Sequence, residues 1–276
     1  MNLTLGFSTC PNDTYIFDAM VNGRIDTEGI RFELHLADVE ELNLLAFKAA
    51  LDITKVSYHA FAYLSEAYQL LTAGSALGYG NGPLLISKHK IYPDELDNLK
   101  IAIPGKYTTA NLLLSLAYPN LTNKPEYLFS DIEEVILSGE ADAGVIIHEN
   151  RFTYRSKGLK KITDLGEYWE QQYGLPIPLG GIIVKRSLPQ EIRQTINRVL
   201  RRSVEYAFQN PDDSLPFVRK HAKSMDDAVM RKHIQLYVND FSLELGAKGM
   251  EAITTLYGKG VEKGLFPPLQ PSWIIA

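Results

Sequence analysis

Apolar and polar residues alternate in short blocks along the first third of the chain. Residues 3–7, 30–36, 51–56 and 68–71 form apolar or alternating runs, which predict four strands. Apolar residues at helical spacing follow two of these strands, after a capping-box pattern at Asp38 and Glu41 and again after Ser57. Strands that alternate with helices in this way are typical of α/β proteins, and we expect a mostly parallel sheet.

The middle of the chain repeats this pattern. A strand at residues 100–103 is followed by a helix at 111–117, and a capping box of Ser130 and Glu133 precedes a helix that ends near Gly139. The strand at residues 143–147 ends at His148. Beyond residue 186 the pattern is mainly helical, with helices predicted at 187–208, 213–221, 226–240 and 247–263.

Two strands resemble each other, at residues 82–88 and 180–186. Each begins with glycine, continues with apolar residues and ends with a basic residue, and about 90 residues of α/β pattern separate them. We interpret them as strands by which the chain crosses between two lobes. The sequence therefore predicts a large lobe from residues 1–88 and 186–276, and a small lobe from residues 89–185.

Composition then excludes several classes of protein. The chain has 276 residues and a net charge of −5, which is unlike a general nucleic-acid-binding protein. No signal-peptide pattern and no apolar run of about 18 residues is found, so we expect a cytoplasmic protein without membrane partners. Nucleotide-binding motifs and metal-ligand spacings are absent, and Cys10 is the single cysteine, so we expect neither a cofactor nor a metal.

Polar segments that directly follow strands carry the candidate chemistry. The loop that begins at Ser8 and contains Asn12 and Asp13 either binds a ligand at the strand ends or caps the next helix. The segment at residues 55–57 is a weaker site of the same kind. These residues alone leave both alternatives open.

Two further segments follow strands in the middle of the chain. Thr108 and Thr109 stand at a helix start, where hydroxyl and backbone N–H groups either bind a carboxylate or phosphate or form an ordinary cap. His148 is either a general base or a hydrogen-bonded structural histidine, because neutral imidazole is the usual base near pH 7.

Five segments together resemble the 1,4-dihydroxy-6-naphthoate synthase family of the futalosine route to menaquinone. They are STCPNDTYIFDA at residues 8–19, DITKVS at 52–57, GYGNGP at 78–83, IPGKYTTANLLL at 103–114 and DAGVIIHE at 142–149. The resemblance covers most of the first 190 residues or so, and the C-terminal helical region carries no diagnostic motif.

This resemblance implies a fold like that of type II periplasmic binding proteins, with two α/β lobes, two crossover strands and a ligand cleft between the lobes. It implies a lyase that cleaves cyclic dehypoxanthinyl futalosine to 1,4-dihydroxy-6-naphthoate and dihydroxyacetone without a cofactor. The histidine that accepts a proton maps onto His148. The expected substrate-binding residues are Lys55, Val56, Ser57, Thr108, Thr109 and Ala110, to which the loop adds Ser8, Asn12 and Asp13.

Two alternatives remain at this point. The first is chorismate dehydratase of the same pathway, and the second is a non-catalytic protein that binds a small molecule. In each case the expected partner is a small-molecule carboxylate, and the chain is expected to be a monomer or a homodimer.

Overall fold

The computed structural model describes residues 1–222 and 226–275. The strands are β1 (Asn2–Phe7), β2 (Arg31–Leu36), β3 (Ile53–Ser57), β4 (Tyr68–Leu70), β5 (Ala76–Gly78), β6 (Leu84–Ser87), β7 (Ile101–Ala102), β8 (Ala143–Ile146), β9 (Lys160–Asp164) and β10 (Ile177–Lys185). The α-helices are α1 (Pro11–Val21), α2 (Val39–Phe47), α3 (Tyr58–Phe61), α4 (Thr109–Ala117), α5 (Ile132–Ser138), α6 (Asn150–Thr153), α7 (Leu165–Tyr173), α8 (Gln190–Gln209), α9 (Leu215–His221), α10 (Asp227–Tyr237), α11 (Asp240–Leu243) and α12 (Gly246–Glu262).

The chain divides into two compact units. Unit 1 contains Met1–Gly78 and Pro178–Ala276, and unit 2 contains Tyr79–Ile177. The divisions therefore fall at residues 78 and 177, earlier along the chain than the 88 and 185 expected from the sequence. The cause is strand pairing, because β6 pairs with β8 and β9 of unit 2, whereas β10 pairs with β3 and β4 of unit 1. Each glycine-led strand thus lies within one sheet, and the chain passes between the units just before it.

The sheet of unit 1 has the strand order β2-β1-β3-β10-β4, with β5 also paired to β10. β1 is parallel to β2 and to β3, but β10 is antiparallel to β3 and to β4. The prediction of a mostly parallel sheet is therefore wrong. Local patterns identify a strand but carry no information on its direction, which here depends on a partner more than 100 residues away in the chain.

The core of unit 1 forms where α1 and α8 pack together beside this sheet. Phe7 of β1 and Phe17 of α1 stack with ring centroids 4.6 Å apart. Ser203 Oγ of α8 donates to the carbonyl of Ile16 at 2.6 Å, and Tyr15 Oη donates to the carbonyl of Ala207 at 2.6 Å. These bonds give buried polar groups their partners, and they hold the middle of α1 against α8.

The sheet of unit 2 has the strand order β7-β8-β6-β9. β7 and β8 are parallel, and β6 is antiparallel to both of its neighbours. Helix α5 packs closely on β8 at Gly144, where an added Cβ would lie only 2.7 Å from Cγ2 of Ile132. This close approach holds α5 against β8, the strand that precedes His148.

Several helix predictions need correction. The helix after Ser57 is short, since α3 ends at Phe61 and the chain continues in tight turns, with Tyr63 N–H donating to the Ala60 carbonyl at 3.0 Å. The residue that precedes α5 is Asp131, not Ser130, whose hydroxyl donates to the Asp131 carboxylate at 2.9 Å. Helix α7 was not predicted. Within the described residues, no helix is long and apolar enough to span a bilayer.

Candidate active site

Two parallel strands place the first group of predicted residues at one edge of the unit 1 sheet. β1 pairs with β3 in parallel, with Gly6 opposite Thr54. The loop after β1 and the last residues of β3 therefore lie at the carboxyl edge of the sheet, where open α/β sheets bind their ligands. Helix α1 begins in this loop at Pro11.

Asp13 and Lys55 form a buried ion pair at this edge. Lys55 Nζ lies 3.1 Å from Asp13 Oδ1, and the two side chains are 7% and 3% exposed. Asp13 Oδ1 also accepts from Asn12 Nδ2 at 2.9 Å, and Oδ2 accepts from Ser8 Oγ at 2.6 Å and from Ser8 N–H at 3.2 Å. Both oxygens of Asp13 thus accept from neighbouring groups, and the carboxylate lies directly against the Lys55 ammonium.

His233 joins this group and was not predicted. Its Nε2 lies 2.9 Å from Asn12 Oδ1, and because Asn12 Nδ2 donates to Asp13, the imidazole nitrogen must be the donor. His233 is fully buried on α10, with its ring 4.6 Å from that of Tyr237. The sequence signal was a polar residue on the apolar face of a helix, beside Met230 and Ile234.

The end of β3 supplies the remaining residues of this edge. Ser57 N–H donates to Asn43 Oδ1 at 2.9 Å, and Asn43 Nδ2 donates to Ser57 Oγ at 3.3 Å. Val56 is fully buried, and a Cβ added at Gly180 of β10 would lie 2.8 Å from the Val56 carbonyl oxygen. The edge thus combines a buried cation with serine hydroxyls, a set that suits an anionic or polar ligand. Asn43 was also missed by the sequence analysis.

A second pair of parallel strands organises the predicted residues of unit 2. β7 pairs with β8, with Ala102 opposite Gly144. The segment after β7, which leads into α4, and His148 after β8 therefore lie at the same carboxyl edge of this sheet. The structure brings Thr108, Thr109, Ala110 and His148 to one edge, as the sequence suggested by placing each of them after a strand.

Thr108 forms the N-cap of α4. Its Oγ1 accepts from Asn111 N–H at 3.3 Å and donates to the Gly105 carbonyl at 2.7 Å. The ordinary-cap alternative thus holds for the hydroxyl of Thr108. Thr109 and Ala110 form the buried first turn of the helix, where the backbone dipoles favour a negatively charged group.

His148 stands at a sharp turn directly after β8. Its backbone has a φ of +57°, in the left-handed region that few residues other than glycine adopt. The half-buried imidazole packs edge-on against Phe129, with ring centroids 5.0 Å apart and an interplanar angle of 68°. Such backbone conformations cluster at functional sites, where the surrounding structure holds them. The turn and the ring contact fix the imidazole at the sheet edge.

The two edges offer different chemistry. The edge in unit 1 carries a lysine cation and serine hydroxyls, and the edge in unit 2 carries an imidazole and a helix N-terminus. Across residues 1–222 and 226–275, no three His, Cys, Asp or Glu side chains are grouped so as to hold a metal ion.

Residues 3–262 match the protein family described as menaquinone biosynthesis. The chain belongs to this family. The 1,4-dihydroxy-6-naphthoate synthase of Thermus thermophilus is 42% identical over 266 residues, which cover 96% of each chain. The enzyme of the same name from Streptomyces coelicolor is 39% identical over 274 residues, covering 98% of this chain and 96% of that one. The family suggested by the sequence motifs is confirmed, and the match includes the C-terminal helices. The shared name of the two relatives does not favour chorismate dehydratase or a non-catalytic protein.

Solved structures extend this result to the fold. This member of the menaquinone-biosynthesis family resembles a protein from Archaeoglobus fulgidus with a TM-score of 0.90. The two chains are 35% identical, and the match covers 96% of this chain and 98% of that one. It also resembles the alkanesulfonate-binding protein of Xanthomonas axonopodis, with a TM-score of 0.74, 13% identity and coverage of 99% and 97%. The second likeness concerns the fold alone. It confirms the predicted periplasmic-binding-protein-like fold.

Proposed function

We propose that this family member is a 1,4-dihydroxy-6-naphthoate synthase that acts on cyclic dehypoxanthinyl futalosine in the futalosine route. The products are 1,4-dihydroxy-6-naphthoate and dihydroxyacetone. The names of the two relatives support this proposal over nearly the whole chain. The observation that carries it is His148, an imidazole held on left-handed backbone at the edge where α4 also begins.

His148 is the proposed proton acceptor. Cleavage of a carbon–carbon bond next to a carbonyl requires a base to remove a proton, after which the electron pair of the broken bond is held as an enolate. The three-carbon fragment leaves, takes up a proton and becomes dihydroxyacetone, while the remaining ring becomes aromatic. Aromatisation supplies the driving force, so the proposal needs no redox cofactor.

The other predicted residues either bind the substrate in this proposal or hold those that do. The first turn of α4, with Thr109 and Ala110, offers donors to the carboxylate or to a developing oxyanion. Lys55 contributes a cation and Ser57 a hydroxyl from the edge of the unit 1 sheet, and the loop residues Ser8, Asn12 and Asp13 hold Lys55 in place. Val56 lies between Lys55 and Ser57 in β3 and is the remaining binding residue of this segment.

His148→Asn is the variant that tests the proposal. Asparagine tolerates the left-handed backbone at this position, so the fold is retained while the basic nitrogen is lost. We expect kcat to fall at least about 100-fold, with an unchanged Tm. The rate is followed by mass spectrometry of 1,4-dihydroxy-6-naphthoate and dihydroxyacetone formed from the purified protein and its substrate.

His89→Asn is the matched control, because His89 is an exposed histidine of the same unit. This variant should keep the rate of the wild type within twofold. A folded His148→Asn protein with near-normal turnover contradicts the assignment of the base. A wild-type protein that forms neither product contradicts the proposed reaction itself.

The cytoplasmic location and the monomeric or homodimeric state remain predictions from the sequence. Cell fractionation tests the location, and sedimentation of the purified protein tests the oligomeric state.

A further inference from the structure

Asn81 is a buried asparagine whose side chain has no hydrogen-bond partner. It lies in the loop just before β6 and is 1% exposed. Neither its Nδ2 nor its Oδ1 has a partner within the described residues. A buried amide that forms no hydrogen bond costs about 1–3 kcal/mol for each unpaired group, so its presence calls for a reason.

The position of Asn81 relates it to His148. β6 runs antiparallel to β8, with Leu84 opposite Ile146. Because the two strands run in opposite directions from this pair, the residues just before β6 lie at the same sheet edge as the residues just after β8. Asn81 precedes β6 and His148 follows β8, so both belong to the edge that also receives α4.

The loop around Asn81 is held on both sides. Gly80 N–H donates to Glu170 Oε1 at 2.7 Å, and the Gly82 carbonyl accepts from Arg151 Nη1. Arg151 Nη2 also contacts Asp164 Oδ2 at 3.4 Å.

Gly82 in turn packs so closely that an added Cβ would lie 2.4 Å from Cα of Gly166. The residues on both sides of Asn81 are thus held by hydrogen bonds or close packing.

The segment after His148 carries similar unpaired groups. Asn150 Nδ2 and Glu149 Oε2 are buried and have no hydrogen-bond partner within the described residues. Asn150 precedes Arg151, which is bonded to the residue next to Asn81. The unpaired amide of Asn81 is thus one of a set of unpaired polar groups that lie just before β6 or directly after His148.

We propose that Asn81 is a substrate-binding residue beside His148, and this inference rests on the proposed function. Its Nδ2 donates to a carbonyl oxygen of the substrate, and its Oδ1 accepts from a neighbouring hydroxyl. A carboxylate would fit poorly, because it offers only acceptors and would leave Oδ1 unpaired. A hydroxyl next to a carbonyl satisfies both atoms, and this is the chemistry of the three-carbon fragment that leaves as dihydroxyacetone.

Asn81→Leu tests this inference, because leucine has a similar volume and no polar atoms. The ligand-free variant loses no hydrogen bond, so its Tm should stay unchanged or rise by a few degrees. Its kcat/KM should fall about 10- to 100-fold, since bonds to the reacting fragment are lost. Asn81→Ala removes the amide without adding any bulk, and it should show the same loss if leucine disturbs the fold.

Asn197→Leu is the matched control in unit 1. Asn197 Oδ1 accepts from Thr72 N–H at 3.0 Å, and Nδ2 donates to Thr72 Oγ1 at 2.9 Å. Because these bonds are made in the ligand-free protein, this variant should lower the Tm and keep kcat/KM within twofold. The two asparagines are thus expected to show opposite patterns.

Three outcomes overturn the inference. The first is an active wild type with kcat/KM of both Asn81 variants within twofold, which leaves the proposed function intact. In the second, both Asn81 variants lower the Tm as much as Asn197→Leu does, which assigns the Asn81 amide a structural role. The third is a wild type without turnover, which removes the proposed function and this inference together.

Discussion

Lys55→Met tests whether burial determines how much the ion pair of Asp13 and Lys55 contributes to stability. Methionine keeps an unbranched apolar stem and removes only the ammonium group, so the packing of the stem is largely retained. The chain offers a matched control in Lys185→Met. Lys185 and Asp52 form a pair of the same residue types in the same unit, with the same N–O distance of 3.1 Å.

Exposure is the main difference between the two pairs. The side chains of Lys55 and Asp13 are 7% and 3% exposed, whereas those of Lys185 and Asp52 are 21% and 24% exposed. Removing one partner of a buried pair leaves an uncompensated charge away from water, at a cost of about 3–5 kcal/mol. A pair that water reaches contributes about 0.2–1 kcal/mol. Lys55→Met should therefore cost about 2–5 kcal/mol more than Lys185→Met.

Urea unfolding of the ligand-free proteins measures this difference. Circular dichroism follows the transition. If the unfolding free energy falls with urea concentration at the same slope in each variant, the variants differ in stability alone. The double variant Asp13→Asn/Lys55→Met should be less destabilised than the sum of the two single variants by about 1–3 kcal/mol, because neither charge is then left unpaired. If Lys55→Met costs no more than Lys185→Met, burial does not control how much the pair contributes to stability.

Two further predictions concern a proposed binding residue and the response to acid. Thr109→Val keeps the side-chain shape and removes the hydroxyl, so kcat/KM should fall about 5- to 150-fold. Thr109→Ser keeps the hydroxyl and should keep most of the activity. If Thr109→Val lowers the Tm but leaves kcat/KM within twofold, Thr109 has a structural role alone. Burial alone would raise the pKa of Asp52, but hydrogen bonds from Thr4 and Lys185 lower it below its ordinary 3.8. Because the pKa of Asp52 is lower in the folded protein, the ionised carboxylate stabilises the fold at any pH above the pKa of the unfolded chain. This stabilisation is lost as the pH falls through the pKa of the folded protein. The stability difference between wild type and Asp52→Asn in urea unfolding should thus be constant near neutral pH and shrink below about pH 4; a constant difference down to pH 2 would contradict this cause.

The candidate residues at strand ends could be predicted because the signal is local. An apolar run followed at once by polar residues identifies both the strand and its end, and Ser8 and His148 were found in this way. For the loop after β1, the sequence left two alternatives, a ligand site or a helix cap. The structure does not make Asp13 the cap, since the N-cap of α1 is Cys10 and the Asp13 carboxylate accepts from Lys55 and Ser8. The ligand site at this loop stays a prediction.

Residues that reach an edge from elsewhere in the chain could not be predicted. His233 lies 221 positions from Asn12, and only the packing of α10 brings the two together. Asn81 was part of a quoted motif, but no pattern in the sequence indicates that its amide is buried without a partner. Both properties depend on atoms that are distant in the sequence.

The sequence by itself determined most of the strands and helices of this protein, its family and the positions where strands end in polar residues. These features depend on the spacing of apolar residues and on local motifs, which a single segment contains. The tertiary structure decided the antiparallel direction of β6 and β10, the division at Gly78 and Ile177, and the neighbours of each candidate side chain. Hydrogen bonds between strands and the burial of a charge or an amide arise only when distant segments pack together. For this reason only the folded chain shows which side chains surround each strand end.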